Sequence, residues 1–210
     1  MFQLILLAVH IAAGSVSLAT AGVALVTAKG GRWHVLAGRI YAVGMTIVFV
    51  TAIPLAIFAE SIFLFLIALF SFYLVFAGWR FARNRRRRAH PVDWVAVSAI
   101  GITGLGMWCY AVVLALDSSS QWVTLVVFGG IALALGLVDA KFHRDQPGGP
   151  RRVARHLTNM MAGTIATITA VTVVNVSMEP VWVPWILPTV VITPLIVWWN
   201  FRVLRRARSS

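Results

Sequence analysis

Charged residues are scarce in this chain of 210 residues, and acidic residues are the scarcest. Only 11% of the residues are charged, with six Asp and Glu against eighteen Lys and Arg, whereas 60% are hydrophobic. This composition is typical of a protein surrounded mostly by lipid rather than of a water-soluble domain. The chain has one cysteine, Cys109, which excludes an internal disulfide.

Catalytic and leader motifs are also missing. The sequence contains no CxxC pair, no HExxH motif, no phosphate-binding glycine loop and no nucleophile–base pair, which argues against an acyl- or phosphoryl-transfer enzyme. No basic segment precedes the first apolar run, so we expect that run to be a retained helix rather than a signal peptide. The net charge of +12 would suit a nucleic-acid partner. However, the basic residues lie in short connections between apolar runs, which argues against nucleic acid.

Seven apolar stretches are long enough to cross a bilayer, which takes about 20 residues of α-helix. Because the connections between them are short, we expect consecutive helices to be antiparallel. The sequence therefore predicts a polytopic, all-α helix bundle that forms a single domain over residues 1–210. The predicted spans are residues 2–28, 33–58, 62–82, 92–116, 121–141, 153–176 and 181–204.

The basic residues predict the orientation of this bundle. All eighteen lie in or beside the first, third and fifth connections and the C-terminal tail, and the longest run is Arg85 to Arg88. Cytoplasmic loops are the ones enriched in Lys and Arg, so the N-terminus is predicted outside and the C-terminus in the cytoplasm. Arginine far outnumbers lysine, which indicates a GC-rich bacterial genome and hence a bacterial inner (plasma) membrane. Anionic lipid headgroups are the expected partner at the cytoplasmic face.

Two histidines begin helices that enter the membrane from that face. His34 follows the glycine turn Gly30-Gly31, and His156 follows a run of arginines. Counted from Trp33 and Val153, both rings fall in the first helical turn, so we expect them at equal depth. Two imidazoles from separate helices can hold one haem b or a transition metal. The alternative is that both rings simply lie in the headgroup layer.

His10 is a third candidate ligand, since it lies about 12 Å inside the first helix from its outer end. An ionisable group at that depth is a functional candidate, and the alternative is a neutral histidine bonded to a neighbouring helix. We expect His90 and His143, in the basic connections, to be solvated.

Asp139 is an acid within the fifth predicted span, near its cytoplasmic end, and either Arg39 or Arg155 lies at a suitable depth to pair with it. A structural ion pair and a functional site are both consistent with this pattern. In the sixth helix His156, Asn159 and Met160 are three and four residues apart, so they share one face.

Small residues predict where helices touch, because close backbone contact drives helix association in lipid. In the first helix Gly14, Leu18 and Gly22 share one face, with Ala13, Ser17 and Ala21 beside it. The fourth and fifth helices carry further glycines, namely Gly101, Gly104 and Gly106, and Gly129, Gly130 and Gly136.

Three short elements of the sequence carry a family resemblance. They are His10 with Gly14, the segment from His34 through Gly38 and Arg39 to Tyr41, and Arg155-His156 with Met160. On these elements, and over most of its length, the chain resembles a family of bacterial predicted membrane proteins described as domain of unknown function 2306. The resemblance implies a multi-helix inner-membrane protein with recurrent histidines and no assigned activity.

Two functional classes remain open at this point. The first is a redox or metal protein in which His34 and His156, with or without His10, hold haem or a transition metal. The second is a non-enzymatic membrane protein, either a small transporter or a protein that binds anionic lipid. A visible absorption spectrum separates the two classes, because haem absorbs strongly and a transporter does not.

Overall fold

The computed structural model describes residues 1–84 and 88–206, so three arginines of the longest basic run and the last four residues lie outside the described part. Those residues form seven α-helices and no strands, and each helix is long and apolar enough to cross a membrane. The predicted all-α architecture is confirmed, and the seven helices have the length and composition of membrane spans. The helices are α1 Phe2–Val26, α2 Arg32–Phe58, α3 Ile62–Arg83, α4 Pro91–Leu116, α5 Trp122–Asp145, α6 Pro150–Asn175 and α7 Val183–Arg206.

The helices belong to two compact units. The first, Met1–Phe72, contains α1, α2 and the first half of α3. The second, Tyr73–Ser210, contains the rest of α3 and helices α4 to α7. The prediction of a single domain stays a prediction.

In the first unit α1 packs against α2 mainly through the small residues beside its glycine stripe, although a Cβ on Gly14 of the stripe would also lie 3.9 Å from Val48 of α2. Ser17 and Ala21 are buried, whereas Gly22 is exposed. Ser17 contacts Gly44 of α2 so closely that a methyl group on Gly44 would overlap the serine hydroxyl. The contact face of α1 is therefore the neighbouring Ser17–Ala21 stripe, because it brings the two backbones together at Gly44.

In the second unit two glycines mark the close contact of α4 with α5. A Cβ added to Gly104 would lie 3.1 Å from the carbonyl oxygen of Gly129, and a Cβ on Gly129 would lie 3.0 Å from that of Gly104. The indole of Trp108 covers this contact and donates to the carbonyl of Val126 at 3.1 Å. The predicted role of Gly104 and Gly129 in packing is confirmed, whereas Gly101 faces open space.

Helix α6 makes the remaining close contact described in this unit. A Cβ on Gly78 of α3 would lie 2.7 Å from the sulfur of Met160, so no larger residue fits there without displacing that side chain. On another face of α6, Asn200 of α7 donates its amide to the hydroxyl of Thr158 at 2.8 Å.

Most helix limits agree with the predicted spans within two residues, and the two that differ by more lie at the connection between α5 and α6. Helix α5 continues to Asp145, because Phe142 and His143 both pack their rings on Phe81 at 5.0 Å. Helix α6 begins at Pro150, after Gly149 with φ of +57°, so the helix starts three residues before the predicted Val153. Proline suits a first helical position because its missing N–H would have no partner there.

Candidate functional site

The fully buried carboxylate of Asp139 is the centre of a polar cluster in the second unit. One of its oxygens accepts from Nε of Arg155 at 2.8 Å, and the same guanidinium contacts it through Nη2. The other oxygen accepts from the Tyr73 hydroxyl at 2.7 Å and from the Asn159 amide at 3.4 Å. We call Tyr73, Asp139, Arg155 and Asn159 the Asp139 cluster; it connects α3, α5 and α6.

The structure selects between the two predicted partners of Asp139. Arg155 forms the ion pair, and its side chain is 14% exposed. Arg39 belongs to the first unit, where it is exposed. The sequence did not predict Tyr73 as a member of this cluster. A single tyrosine in an apolar stretch does not indicate that its hydroxyl bonds to a carboxylate on another helix.

The cluster reaches well into the helices. Asp139 lies six residues before the end of α5, or about 9 Å, and Asn159 lies nine residues after the start of α6, or about 14 Å. At that depth backbone and side-chain polar groups must find partners within the protein, because the hydrocarbon offers none. Four donor contacts, from Tyr73, Asn159 and two nitrogens of Arg155, supply these partners for the Asp139 carboxylate.

A second ion pair lies nearer the helix ends. Nε of Arg80 donates to Asp93 at 2.6 Å and Nη2 of the same guanidinium donates at 3.0 Å, although Asp93 is only 2% exposed. The Asp93 carboxylate also accepts from the backbone N–H of His90 at 2.8 Å. His90 is exposed and its ring accepts from the N–H of Val92, so this histidine is the N-cap of α4.

His143 contradicts the expectation that it is solvated. Its ring is 6% exposed and lies flat on Phe81, with the Trp94 indole 6.1 Å away. The imidazole interacts electrostatically with Asp93 and Asp139 and with the two arginines that pair with them. Sequence reasoning missed it because Phe142-His143-Arg144-Asp145 looks like a polar turn, whereas α5 continues through it.

A small cavity lies beside His143. It offers about 10 Å³, which is the room for about one water molecule, and its wall includes Arg152 and Gln146. Arg152 itself donates through Nη1 to the carbonyls of Phe81 at 2.8 Å and Ala82 at 2.7 Å. These are carbonyls in the last turn of α3, which have no N–H partner within the helix.

His156 takes part in the same contact between α6 and α3. Its Nδ1 lies 2.9 Å from the carbonyl oxygen of Gly78. Because α6 begins at Pro150, His156 is the seventh helical residue, and the prediction that it falls in the first turn is wrong. His156 and Met160 both approach Gly78, whereas Asn159, which the sequence placed on the same face, reaches Asp139 of α5.

His34 makes an equivalent contact in the first unit. Its Nδ1 lies 3.0 Å from the carbonyl oxygen of Ala24, near the end of α1. The Lys29 ammonium donates to the same oxygen at 2.9 Å and to that of Leu25 at 2.5 Å. Loss of hydration lowers the pKa of Lys29. Gly30, with φ of +80°, makes the turn that brings both side chains back to α1.

His10 is half-buried and bonds to the neighbouring helix. Its Nδ1 lies 2.9 Å from the Thr51 hydroxyl, which in turn donates to the carbonyl of Ile47 at 2.8 Å. The bond to a neighbouring helix, one of the two alternatives stated for His10, is therefore present.

The described residues contain no group of three or more His, Cys, Asp or Glu side chains placed to hold a metal ion. His34 lies in the first unit and His156 in the second. The prediction that they share haem or a metal stays a prediction.

Searches among known proteins add no relative of this chain. No family model, no curated protein and no solved structure matches it. The function is therefore argued from the site alone.

Proposed function

We propose that the chain is a small, non-enzymatic transporter of a bacterial plasma membrane whose transport cycle is coupled to a proton taken up at His143. The observation that carries this proposal is the position of His143, which is buried near two ion-paired carboxylates and lines a water-sized cavity. Ionisable groups are rarely kept inside a membrane bundle unless they serve transport or a proton relay.

Histidine is the side chain whose charge changes near physiological pH. Asp93 on α4 and Asp139 on α5 face the ring with negative charge, and Arg80 on α3 and Arg155 on α6 face it with positive charge. A proton on His143 attracts both carboxylates and repels both guanidiniums. It therefore weakens the pairs that hold α3 to α4 and α5 to α6, which is a direct route from protonation to helix movement.

The orientation in this proposal follows the positive charge. The cavity and the Arg80–Asp93 pair lie where α3 and α5 end and where α4 and α6 begin, and the connections there carry the basic residues. We place this end in the cytoplasm, with the N-terminus of α1 outside. His143 then takes its proton from the cytoplasmic side.

Two arginine–tryptophan pairs support an anionic lipid surface as the partner at this face. The guanidinium of Arg83 lies 5.1 Å from the Trp79 ring, and that of Arg202 lies 5.3 Å from the Trp198 ring. An indole in the headgroup layer beside a cation is typical of membrane anchoring. Each such cation is attracted to an anionic leaflet by about 1 kcal/mol.

Proton flux into proteoliposomes tests the proposal. Vesicles containing the purified protein and an internal pH dye receive an inside-negative potential, and the rate of acidification is measured. We expect the protein to accelerate acidification and the His143→Gln variant to lose that acceleration. Lys141→Gln, which changes an exposed cation two residues away, is the matched control and should behave as wild type. Equal rates in wild type and His143→Gln would reject the proposal.

Haem or transition-metal binding is the second candidate, and one observation favours it. Since a carbonyl oxygen only accepts, both His34 and His156 donate through Nδ1 to a backbone carbonyl. Metal-binding histidines commonly donate their other N–H to a backbone carbonyl in this way. The resemblance to domain of unknown function 2306 is compatible with this class and with transport alike.

A spectrum decides this second candidate. The protein is produced with haem and trace metals supplied, and a reduced-minus-oxidised spectrum and a metal analysis are recorded. Stoichiometric haem or metal that disappears in both His34→Ala and His156→Ala would establish a cofactor site. A cofactor that survives both changes would direct attention to His10.

A further inference from the structure

Two buried oxygen atoms on α6 lack a hydrogen-bonding partner among the described residues. They are Oδ1 of Asn159 and Oγ1 of Thr169. Asn159 is 0% exposed and Thr169 is 3% exposed, so bulk water reaches neither side chain. A third such atom is Oδ1 of Asn200 on α7. The side-chain nitrogen of the same residue donates to Thr158 of α6.

The orientation of the Asn159 amide is fixed by its neighbours. Its nitrogen donates to the Asp139 carboxylate at 3.4 Å and to the carbonyl of Arg155 at 3.3 Å. Rotating the amide by half a turn would place its oxygen against two acceptors. The oxygen therefore points away from both, into the interior of the unit.

Thr169 differs from the other threonines of its helix. Thr164 and Thr167 each donate to the carbonyl four residues earlier at 3.0 Å, and Thr158 and Thr172 do the same. Thr169 makes no such bond, and its hydroxyl oxygen has no partner among the described residues. A buried hydroxyl and a buried amide oxygen without partners are costly, and in a membrane interior the cost is not relieved by bulk solvent.

We propose that α6 binds two internal water molecules, one at Asn159 Oδ1 and one at Thr169 Oγ1. The sites are ten residues apart, or about 15 Å along the helix. A neutral donor suits Asn159 better than a cation does, because the adjacent Asp139 carboxylate already pairs with Arg155. A water satisfies each oxygen at little cost, and internal waters of this kind are regular parts of folded proteins. The inference does not depend on proton uptake at His143.

Water-edited solid-state NMR of the protein in bilayers tests the Asn159 site. Only the asparagines are labelled with ¹⁵N, and Asn159→Leu identifies the signal of the Asn159 amide. We expect magnetisation to pass from water to this buried amide as fast as to the partly exposed Asn84. Slow transfer to Asn159 with fast transfer to Asn84 would overturn the proposal at this position.

The sign of a stability change tests the Thr169 site. Replacing a dry, unpaired hydroxyl by a methyl group of the same shape stabilises a protein. If no water were bound at Thr169, the Thr169→Val change would therefore raise the midpoint of thermal unfolding by about 2–4 °C. If water is bound there, the midpoint stays constant or falls, which is the result we expect. Thr167→Val is the matched control, because its hydroxyl bonds within the helix. A rise for Thr169→Val but not for Thr167→Val would refute the second water site. Neither readout uses proton flux, so the proposed transport function can fail while this inference stands.

Discussion

Nδ1 of His156 lies 2.9 Å from the carbonyl oxygen of Gly78, in the last two turns of α3. Arg152, one turn earlier on α6, donates to carbonyls at the end of the same helix. In the first unit His34 and Lys29 make the same kind of contact with the end of α1. Lys29, His34 and Arg152 thus satisfy carbonyls in the last turn of a helix, which have no N–H partner there and which lipid cannot satisfy. His156 bonds to a carbonyl one turn further inside α3.

Gly78 should tolerate no side chain, because the side chain and the backbone nitrogen of Met160 occupy the space where a Cβ would lie. We expect Gly78→Ala to lower the free energy of unfolding by about 1–3 kcal/mol through overpacking. Gly101→Ala is the control, since a Cβ there meets no atom within 4 Å. That change should be neutral or slightly stabilising, because alanine is the better helix former. Unfolding in increasing SDS measures both, and equal effects would contradict the close packing of α3 and α6.

Removal of one partner of the buried ion pair should be more damaging than removal of both. Arg155→Ala leaves the buried Asp139 carboxylate without its cation, and we expect a loss of about 3–5 kcal/mol in the free energy of unfolding. Arg80→Ala should cost less, because Arg80 is 30% exposed and water partly replaces it.

The double variant Asp139→Leu with Arg155→Met should regain most of the stability lost in Arg155→Ala. The same SDS titration measures it. A double variant as unstable as Arg155→Ala would show that the cost lies in lost packing rather than in an unpaired charge.

The helices were predictable from the sequence because long apolar runs have one stable form in lipid. The contacts between the helices were less predictable, since the sequence does not say which of two adjacent small-residue stripes on a helix faces the neighbouring helix. The stripe with Gly14 and Gly22 and the stripe with Ser17 and Ala21 were both candidates for the contact face of α1, and Ser17 with Ala21 is the buried one. The choice depends on Gly44 in another helix, which a reading of α1 alone cannot include.

Only part of the candidate site was predicted, because sequence alone reveals polar residues within apolar runs but not their partners on other helices. Asp139, Arg155 and Asn159 stood out as polar residues within apolar runs, and the structure joins them. Tyr73 and His143 did not stand out. Their roles come from partners distant in sequence, and His143 in particular was misjudged because the end of α5 was placed four residues too early.

The orientation in the membrane can be tested with two single cysteines in a Cys109→Ala background. Ser119 lies between α4 and α5, and Gln146 lies between α5 and α6. With the N-terminus outside, we expect an impermeant thiol reagent to label Ser119→Cys in intact cells and to label Gln146→Cys only after lysis. The opposite pattern would place the basic connections outside.

Protonation of His143 should be visible in the fluorescence of Trp94, whose ring centre lies 6.1 Å from the imidazole. A protonated imidazole quenches a nearby indole and a neutral one does so weakly, so fluorescence should fall as the pH is lowered through the range in which histidine titrates. Because the chain has nine tryptophans, the titration is repeated with Trp94→Phe, and the difference isolates the signal of Trp94. We expect this difference signal to depend on pH in wild type and Lys141→Gln and to be independent of pH in His143→Gln. A Trp94 signal that changes with pH in His143→Gln as it does in wild type would show that another group takes up the proton.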